Sequence, residues 1–326
     1  MIIFMLSEEF LMKGLKKNVN KRIILFVNGR KYLVHIDKLK KYSFDVEYKN
    51  FKPGIVGKIK DEIEFTGVDL ARAILTCGVI NASYRDYIFK LCAMECQLDE
   101  KGGKIYSSND YNYMDPSEKV CLSYYRGMIF GRLISIKVFS LDYFIHYKSF
   151  AKGNTITKTG KGEPDIIGYN NSFSDYYVWE CKGDCSGIEK GKKQLKTVGT
   201  INGSKPKMKI VSAAYFTPKL HKLKACVKDP DIKGENIPLD INRTLDFYYR
   251  PIAHIILDRY YREENEIIFT YIWMCGEYYK LGIPKMIFDY YMQNRSNGDF
   301  KSIIKECSEM QLDRMDNVYK DFIYIK

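Results

Sequence analysis

The two segments that decide the fold are GEPDIIG at residues 162–168 and YYVWECKG at residues 176–183. Side chains alternate between faces in a strand, so the second segment predicts Glu180 and Lys182 on one face and Cys181 on the other. The residues before Glu180 are apolar on both faces, which is typical of a central strand covered on two sides. Because unpaired buried charge is costly, the simplest interpretation is a structural ion pair between Glu180 and Lys182.

Asp165 in the first segment indicates a chemical role for those charges. Pro164 cannot donate to a sheet ladder, which places Asp165 at a strand start or a bend. The fifteen residues from Asp165 to Glu180 are enough for a strand, a turn at Asn170-Asn171-Ser172 and a returning strand, so a hairpin can bring the two carboxylates together. Two carboxylates and a backbone carbonyl suit Mg²⁺ or Mn²⁺. Lys182 beside them can help to activate a water and offset charge on a phosphate.

These residues resemble the PD-(D/E)XK nuclease superfamily, which includes many restriction endonucleases and phage or repair exonucleases. The resemblance rests on Pro164 and Asp165, followed by Glu180, Cys181 and Lys182. It implies that Asp165 and Glu180 hold the metal. It also implies that the Cys181 backbone carbonyl is a further ligand and that Lys182 assists the nucleophile. The expected fold class is α/β, a mixed central sheet flanked by helices with a restriction-endonuclease-like core.

Further site residues follow from the resemblance, which covers Pro116–Phe216, under a third of the chain. Members of the superfamily often add an acidic residue from the preceding helix, for which Glu118 is the candidate metal ligand. Many carry a glutamine on the following helix, where Gln194 occupies a fitting place as a catalytic residue. Glu163 could be another ligand or an exposed acid in a turn.

A basic segment follows the proposed site. From Lys182 to Lys209 the chain has eight lysines and only two acids. The lysines on or near the predicted helix are the candidates for contacts with a phosphate backbone: Lys190, Lys192, Lys193 and Lys196. A solvated helix face is the other interpretation of the same pattern.

The composition favours a globular protein with a polyanionic partner. Lysine and arginine outnumber the acids 52 to 40, a net charge of +12, which favours nucleic acid, although lysine richness can also reflect an AT-rich genome. Apolar stretches such as Ile267–Cys275 are far shorter than the roughly 20 residues that span a bilayer. The apolar start, Met1–Leu6, has no basic region and is followed by Glu8 and Glu9, a poor signal peptide. We therefore expect a cytoplasmic protein with no membrane segment.

Other chemistries have weaker patterns. The nine cysteines are an odd number and predict reduced thiols. Cys92/Cys96 and Cys181/Cys185 have C-x3-C spacing, but the first pair marks one face of a predicted helix, which disfavours zinc. The four histidines are scattered and form no zinc-enzyme motif, and no Walker A or GxGxxG loop is present.

The chain is expected to have three parts: an α+β region over residues 1–110, a nuclease core over 111–225 and a helical region over 226–326. Asn28-Gly29 predicts a hairpin. The polar stretch Asp99–Asn112, with Gly102-Gly103, predicts a linker. The core is predicted to contain three strands, at Tyr143–Tyr147, Asp165–Tyr169 and Tyr176–Lys182. A basic helix at Ser186–Thr200 and a strand at Lys209–Phe216 are expected to follow. The last part is predicted as three helices: Leu239–Glu263, Pro284–Asn294 and Phe300–Met310.

Asp115-Pro116-Ser117-Glu118 predicts the start of the helix that precedes the core. The helix is expected to run to about Ile136, with an inward face of four residues: Val120, Tyr124, Met128 and Leu133. Gly127 and Gly131 lie four apart, which either permits close backbone packing or reflects two tolerated weak helix positions.

The function predicted from the sequence is Mg²⁺- or Mn²⁺-dependent hydrolysis of phosphodiester bonds, with DNA favoured over RNA. The resemblance makes bacterial restriction or anti-phage defence a plausible role. The alternative is a nucleic-acid-binding or assembly subunit of a larger complex, with partner-dependent cleavage or none. A protein partner or a homo-oligomer is compatible with either function.

Overall fold

The computed structural model describes residues 25–27, 30–32, 40–51, 61–77, 83–148, 163–170, 175–196, 200–201, 205–229, 236–237, 240–274, 277–293, 299–319, 321 and 323–326. The turn residues Asn28-Gly29 and Asn171-Ser172 lie outside the described residues. The strands on either side of the first turn pair with Val27 opposite Arg30, which confirms the predicted two-residue hairpin.

Seventeen strands and eight α-helices are found in the described residues. The strands are β1 (Leu25–Val27), β2 (Arg30–Tyr32), β3 (Tyr42–Lys49), β4 (Glu62–Phe65), β5 (Leu98–Lys101), β6 (Lys104–Ser107), β7 (Tyr143–His146), β8 (Ile166–Tyr169), β9 (Tyr176–Lys182), β10 (Thr200–Ile201), β11 (Met208–Phe216), β12 (Leu223–Lys228), β13 (Asn236–Ile237), β14 (Tyr261–Glu264), β15 (Ile267–Met274), β16 (Glu277–Pro284) and β17 (Tyr324–Ile325). The helices are α1 (Gly67–Thr76), α2 (Tyr84–Glu95), α3 (Asn109–Tyr113), α4 (Pro116–Phe139), α5 (Ile188–Leu195), α6 (Ile241–Leu257), α7 (Lys285–Met292) and α8 (Phe300–Glu309). Within the described residues, no helix combines the length and the apolar character needed to cross a membrane.

A nine-stranded mixed sheet forms the centre of the fold, in the order β5-β6-β3-β12-β11-β9-β8-β7, with β4 also paired to β3. β9 runs parallel to β11 and antiparallel to β8, and β3 runs parallel to β12. Helix α4 packs on one face of β9 and α5 packs on the other. The structure therefore confirms an α/β fold with a mixed central sheet flanked by helices.

The prediction of a linker over Asp99–Asn112 is wrong. Its residues form the β5–β6 hairpin and helix α3, and the hairpin turns at Gly102 and Gly103, whose φ angles are +60° and +80°. Glycine adopts these left-handed angles without a steric penalty, so the two residues make a tight turn rather than a flexible connection. Because β6 pairs with β3 and β3 with β12, strands from residues 1–110 lie in the same sheet as the core.

The helical prediction for the last part is only partly right. The three helices α6, α7 and α8 are present, but a four-stranded antiparallel sheet, β14-β15-β16-β17, lies among them. Residues 261–263, predicted as the end of a helix, belong to β14 instead. Asn265 and Glu266 both have positive φ angles, 52° and 61°, and make the two-residue turn that starts the sheet.

Helix α4 begins as predicted and extends three residues beyond Ile136, to Phe139. Asp115 caps the helix, Pro116 opens it, and Glu118 completes a capping box by accepting a hydrogen bond from the Asp115 backbone N–H. The first turns of the helix are mostly exposed, whereas the segment from Arg126 to Ser135 is buried.

The predicted inward face of α4 is right for only two of its four residues. Met128 and Leu133 are buried, but Val120 is 70% exposed and Tyr124 is 47% exposed. The helix runs antiparallel to β9, with Gly131 beside Cys181 and Gly127 beside Lys182, where the strand ends. The first turns therefore project beyond the end of β9.

Gly127 and Gly131 permit close packing of α4 on β9. A Cβ atom at Gly127 would lie 2.6 Å from the Lys182 carbonyl carbon, and one at Gly131 would lie 2.6 Å from the Cys181 Sγ. Of the two interpretations of these glycines, close packing is the one that the structure supports.

We expect Gly127→Ala to lower the free energy of unfolding by about 1–3 kcal/mol, although alanine is the better helix former. The added methyl group meets backbone, which cannot move aside. Gly131→Ala should cost less, because its methyl group meets a side-chain sulfur. Urea denaturation of both variants measures the difference. A Gly127→Ala variant as stable as the wild type would contradict the observed contact.

A buried charge cluster joins the end of the chain to the core. Asp321 is fully buried and pairs with Arg72 of α1 at 2.9 Å and with Arg132 of α4 at 3.6 Å. Tyr248 of α6 donates a hydrogen bond to the same carboxylate. The cluster therefore connects two core helices, the C-terminal segment and α6.

Asp321→Asn should lower the free energy of unfolding by about 3–5 kcal/mol, because it leaves two buried guanidinium groups without their counter-charge. Asp316→Asn, at an exposed position, should change it by less than about 0.5 kcal/mol. Thermal or urea unfolding of the two variants tests this. Equal stability of both would show that the cluster adds nothing to the docking of the C-terminal segment.

Candidate active site

Asp165 and Glu180 meet where β8 begins and β9 ends. The Asp165 backbone N–H donates a hydrogen bond to Glu180 Oε2 at 2.9 Å, and the Cys181 backbone N–H donates one to Asp165 Oδ2 at 3.0 Å. These two reciprocal bonds lock the carboxylates side by side. The structure thus brings together the two acids that the sequence placed fifteen residues apart.

The strand faces are as predicted. Gly191 of α5 lies against Glu180 and Lys182, while Gly131 of α4 lies against Cys181 on the opposite face. The N–H and C=O groups of a strand residue point to the same edge. Because the Cys181 N–H points to Asp165, its carbonyl faces the same side as the carboxylates.

Lys182 is held between an acid and an amide. Its Nζ donates hydrogen bonds to Glu180 Oε1 and, at 2.8 Å, to Gln194 Oε1 of α5. The amide nitrogen of Gln194 lies 3.3 Å from the backbone carbonyl of Glu163 and donates to it. Gln194 therefore connects Lys182 to the segment just before Asp165, so the structure brings all four predicted catalytic residues together.

The Glu180 carboxyl is completely buried, and this dominates its electrostatics. Burial raises the pKa of Glu180 well above its usual value, and the negative charge of Asp165 raises it further. The hydrogen bond and the positive charge of Lys182 act in the opposite direction but only offset part of the rise. These effects favour the protonated form of Glu180, and a further positive charge beside it would favour the ionised form.

The donor set fits a hard divalent cation. Mg²⁺ is commonly held by one or two carboxylates with several waters, and the crowded negative charge of Asp165 and Glu180 is what such an ion would relieve. The described residues contain no group of three or more His, Cys, Asp or Glu side chains suited to a metal. Two carboxylates and a backbone carbonyl are therefore the available ligands.

The structure does not bring Glu118 to this site. Its carboxylate is exposed and reaches back to the Asp115 N–H in the first turn of α4. That turn lies about 9 Å along the helix axis from Tyr124. Tyr124 is the α4 residue whose pKa is raised by the charge of Asp165, so it marks the part of α4 that borders the site. The prediction of Glu118 as a metal ligand is thus corrected to a helix-capping role.

The four lysines of the basic segment differ in their surroundings. Lys192 forms an ion pair with Glu189 on the same helix, so it is a poor candidate for a phosphate contact. Lys190, Lys193 and Lys196 are exposed, and none of them forms an ion pair within the described residues. Lys190 lies one helical turn before Gln194 and therefore on the side of α5 that borders the site.

Sequence reasoning missed Arg126, which fixes the backbone just after Lys182. This buried residue donates hydrogen bonds to the Gly183 carbonyl at 2.9 Å, to the Ala214 carbonyl at 3.0 Å and to Gln97 Oε1 at 2.7 Å. It thereby ties the ends of the parallel strands β9 and β11 together. No local motif marks it, because its partners are distant in the sequence.

His146 and Tyr124 also border the site. Burial lowers the pKa of His146, and the charge of Asp165 opposes that shift, which places the ring within electrostatic reach of the carboxylate. Burial raises the pKa of Tyr124, and the charge of Asp165 adds to the rise. The sequence offered only its place near the end of the predicted strand Tyr143–Tyr147, and in the structure His146 ends β7 opposite Ile166.

We expect Glu180→Gln to raise the free energy of unfolding at pH 8 in EDTA by about 1 kcal/mol or more. The folded-state pKa of Glu180 lies above its ordinary 4.5, so its contribution to stability is lost as the pH rises above that value. The gain from the substitution should therefore shrink towards pH 5. Asp165→Asn should act in the same direction, since it removes the repulsion.

Urea unfolding at pH 5 and pH 8 provides the measurement, and Asp175→Asn provides the control, because Asp175 pairs with Lys207 at the other end of the hairpin. A structural Glu180–Lys182 ion pair predicts the opposite result. Loss of stability in Glu180→Gln at pH 8 would favour that interpretation.

No family model, curated protein or solved structure matches this chain.

Proposed function

We propose that this chain is a metal-dependent nuclease with a site of the PD-(D/E)XK type. The observation that carries the proposal is the convergence of Asp165, Glu180 and Lys182 at the junction of β8 and β9. A buried acid beside a second acid is a costly arrangement, and such arrangements concentrate at functional sites.

The surrounding elements support the same proposal. A long helix, α4, precedes an antiparallel set of strands, β7, β8 and β9. Helix α5 then leads to β11, which returns parallel to β9. This order is the one expected for a restriction-endonuclease-like core. The additional strands β3 to β6 and β12 extend the sheet on the side away from the site.

In the proposed mechanism, Asp165, Glu180 and the Cys181 carbonyl would hold Mg²⁺ or Mn²⁺. The ion would supply Lewis acidity to the scissile phosphodiester. Lys182 contributes an ammonium group that donates hydrogen bonds to the attacking water or to a phosphate oxygen as negative charge develops there. Gln194 acts as a positioning residue, because its amide holds the Lys182 Nζ.

The substrate that we propose is DNA in preference to RNA, and the cellular setting is the cytoplasm. The net charge of +12 and the exposed lysines on or just after α5 support a polyanionic substrate. Restriction or anti-phage defence is a role that such an activity would serve. A binding or assembly subunit would not need the complete set of two acids and a lysine, which is the reason for preferring the enzyme.

Cleavage of circular single-stranded DNA, supercoiled duplex DNA and RNA tests the proposal. With Mg²⁺ or Mn²⁺, the wild type should cleave at least one DNA substrate, and EDTA should abolish the cleavage. Asp165→Asn and Lys182→Ala should each lower the rate by about 100-fold or more. Asp175→Asn should cleave like the wild type.

Equal cleavage by all four proteins would refute the assignment of these residues. Absence of cleavage of any substrate by the wild type with either ion would favour the binding or assembly subunit.

A further inference from the structure

The projecting half of α4 and the neighbouring helix α2 carry an exposed apolar surface, which we call the aromatic ridge: Phe89, Val120, Tyr124 and Tyr125. Phe89 is 51% exposed, Val120 and Tyr124 are exposed as well, and Tyr125 is half-buried between them and the core. Large apolar side chains that lie exposed together mark binding surfaces more often than single ones do.

The ridge is continuous. The rings of Phe89 and Tyr125 meet edge to face with centroids 5.5 Å apart, and those of Tyr124 and Tyr125 are 5.4 Å apart. Val120 lies one helical turn before Tyr124 and therefore on the same side of α4. The four side chains thus form one row rather than scattered contacts.

One end of the ridge borders the candidate active site. The Ser123 carbonyl packs so closely on Gly183 that a Cβ atom there would lie 2.1 Å from it. Tyr124 is the next residue of α4, and its phenol interacts electrostatically with the Asp165 carboxylate. A molecule that lies on the ridge can therefore extend directly to the carboxylates.

The opposite border of the site has a different chemistry. Helix α5 packs on the other face of β9 and presents Lys190, Lys193 and Lys196 to solvent. The site consequently lies between an aromatic surface on one side and a basic helix on the other. Aromatic side chains that stack bases, combined with a positive surface that contacts phosphates, are the two components of single-strand recognition.

We propose that the chain binds its nucleic acid as a single strand, with unpaired bases stacked on the aromatic ridge and phosphates directed towards α5. The inference rests on the proposed nuclease function and names the form of its substrate. In a duplex the faces of the bases are covered by their neighbours, so only an unpaired segment can use such a ridge. The excess of positive charge makes a nucleic acid a better occupant than an apolar protein surface.

Fluorescence anisotropy in EDTA, with a labelled oligonucleotide of about 20 nucleotides and its duplex, tests the proposal. The wild type should bind the single strand at least about tenfold more tightly. Phe89→Ala and Tyr124→Ala should each weaken single-strand binding by about 5- to 100-fold and leave duplex binding nearly unchanged. Lys193→Ala should weaken both forms alike and reduce the salt dependence.

Tyr260→Ala provides the matched control, because Tyr260 is 78% exposed but belongs to the segment between α6 and β14. It should bind both forms like the wild type. Equal affinity for single strand and duplex, or unchanged single-strand binding by both ridge variants, would overturn the proposal. The proposal would also be overturned if the wild type forms a concentration-dependent dimer and Phe89→Ala dissociates this dimer without changing single-strand binding.

Cleavage of the same two oligonucleotides separates this inference from the proposed function. If cleavage depends on Asp165 but is unchanged in the ridge variants, the proposed role of the aromatic ridge is refuted and the proposed nuclease function stands. If the ridge variants weaken single-strand binding but no cleavage depends on Asp165, the proposed role of the aromatic ridge is supported and the proposed nuclease function is refuted.

Discussion

The burial of the Glu180 carboxyl is the constraint on which the site and much of its surroundings depend. A charged group cannot remain in a sheet interior unless other groups compensate for the lost solvation. Here the Asp165 backbone and the Lys182 ammonium each engage one of its oxygens. The neighbouring Asp165 carboxylate increases the electrostatic cost instead of lowering it. A Glu180–Lys182 ion pair does not need that second acid, whereas a divalent cation bound beside both carboxylates would offset its cost.

The helices on the two faces of β9 maintain this arrangement through close contacts. Gly191 lets α5 approach Glu180, and Gly127 lets α4 approach Lys182, in both cases at distances that a larger side chain would prevent. Arg126 fixes the chain after Lys182 by binding the carbonyl groups of two adjacent strand ends. The side chains of the candidate site therefore project from closely packed elements, and α4 at the same time presents the aromatic ridge to solvent.

Strand alternation and a hairpin are local rules, so the sequence by itself predicted that Asp165, Glu180 and Lys182 lie close together. Gln194 was added only because the resemblance implies a glutamine on the following helix. The C-terminal sheet was missed because the turn between β14 and β15, Asn265-Glu266, contains no glycine to signal a hairpin, and because β17 pairs with β16 from a distant part of the chain. Val120 is exposed because β9 ends before it reaches this part of the helix. The spacing of apolar residues in α4 carries no information about where β9 ends. Glu118 was misplaced for a related reason, since a helix-capping acid and a ligand look alike in one sequence.

The central claim is that Asp165 and Glu180 hold a divalent cation, and calorimetric titration with Mn²⁺ measures it without any substrate. The wild type should bind Mn²⁺ at this site, and Asp165→Asn and Glu180→Gln should each weaken that binding by more than tenfold. Asp175→Asn should bind as the wild type does. Binding that is absent in the wild type, or that is unchanged in both site variants, would contradict the account.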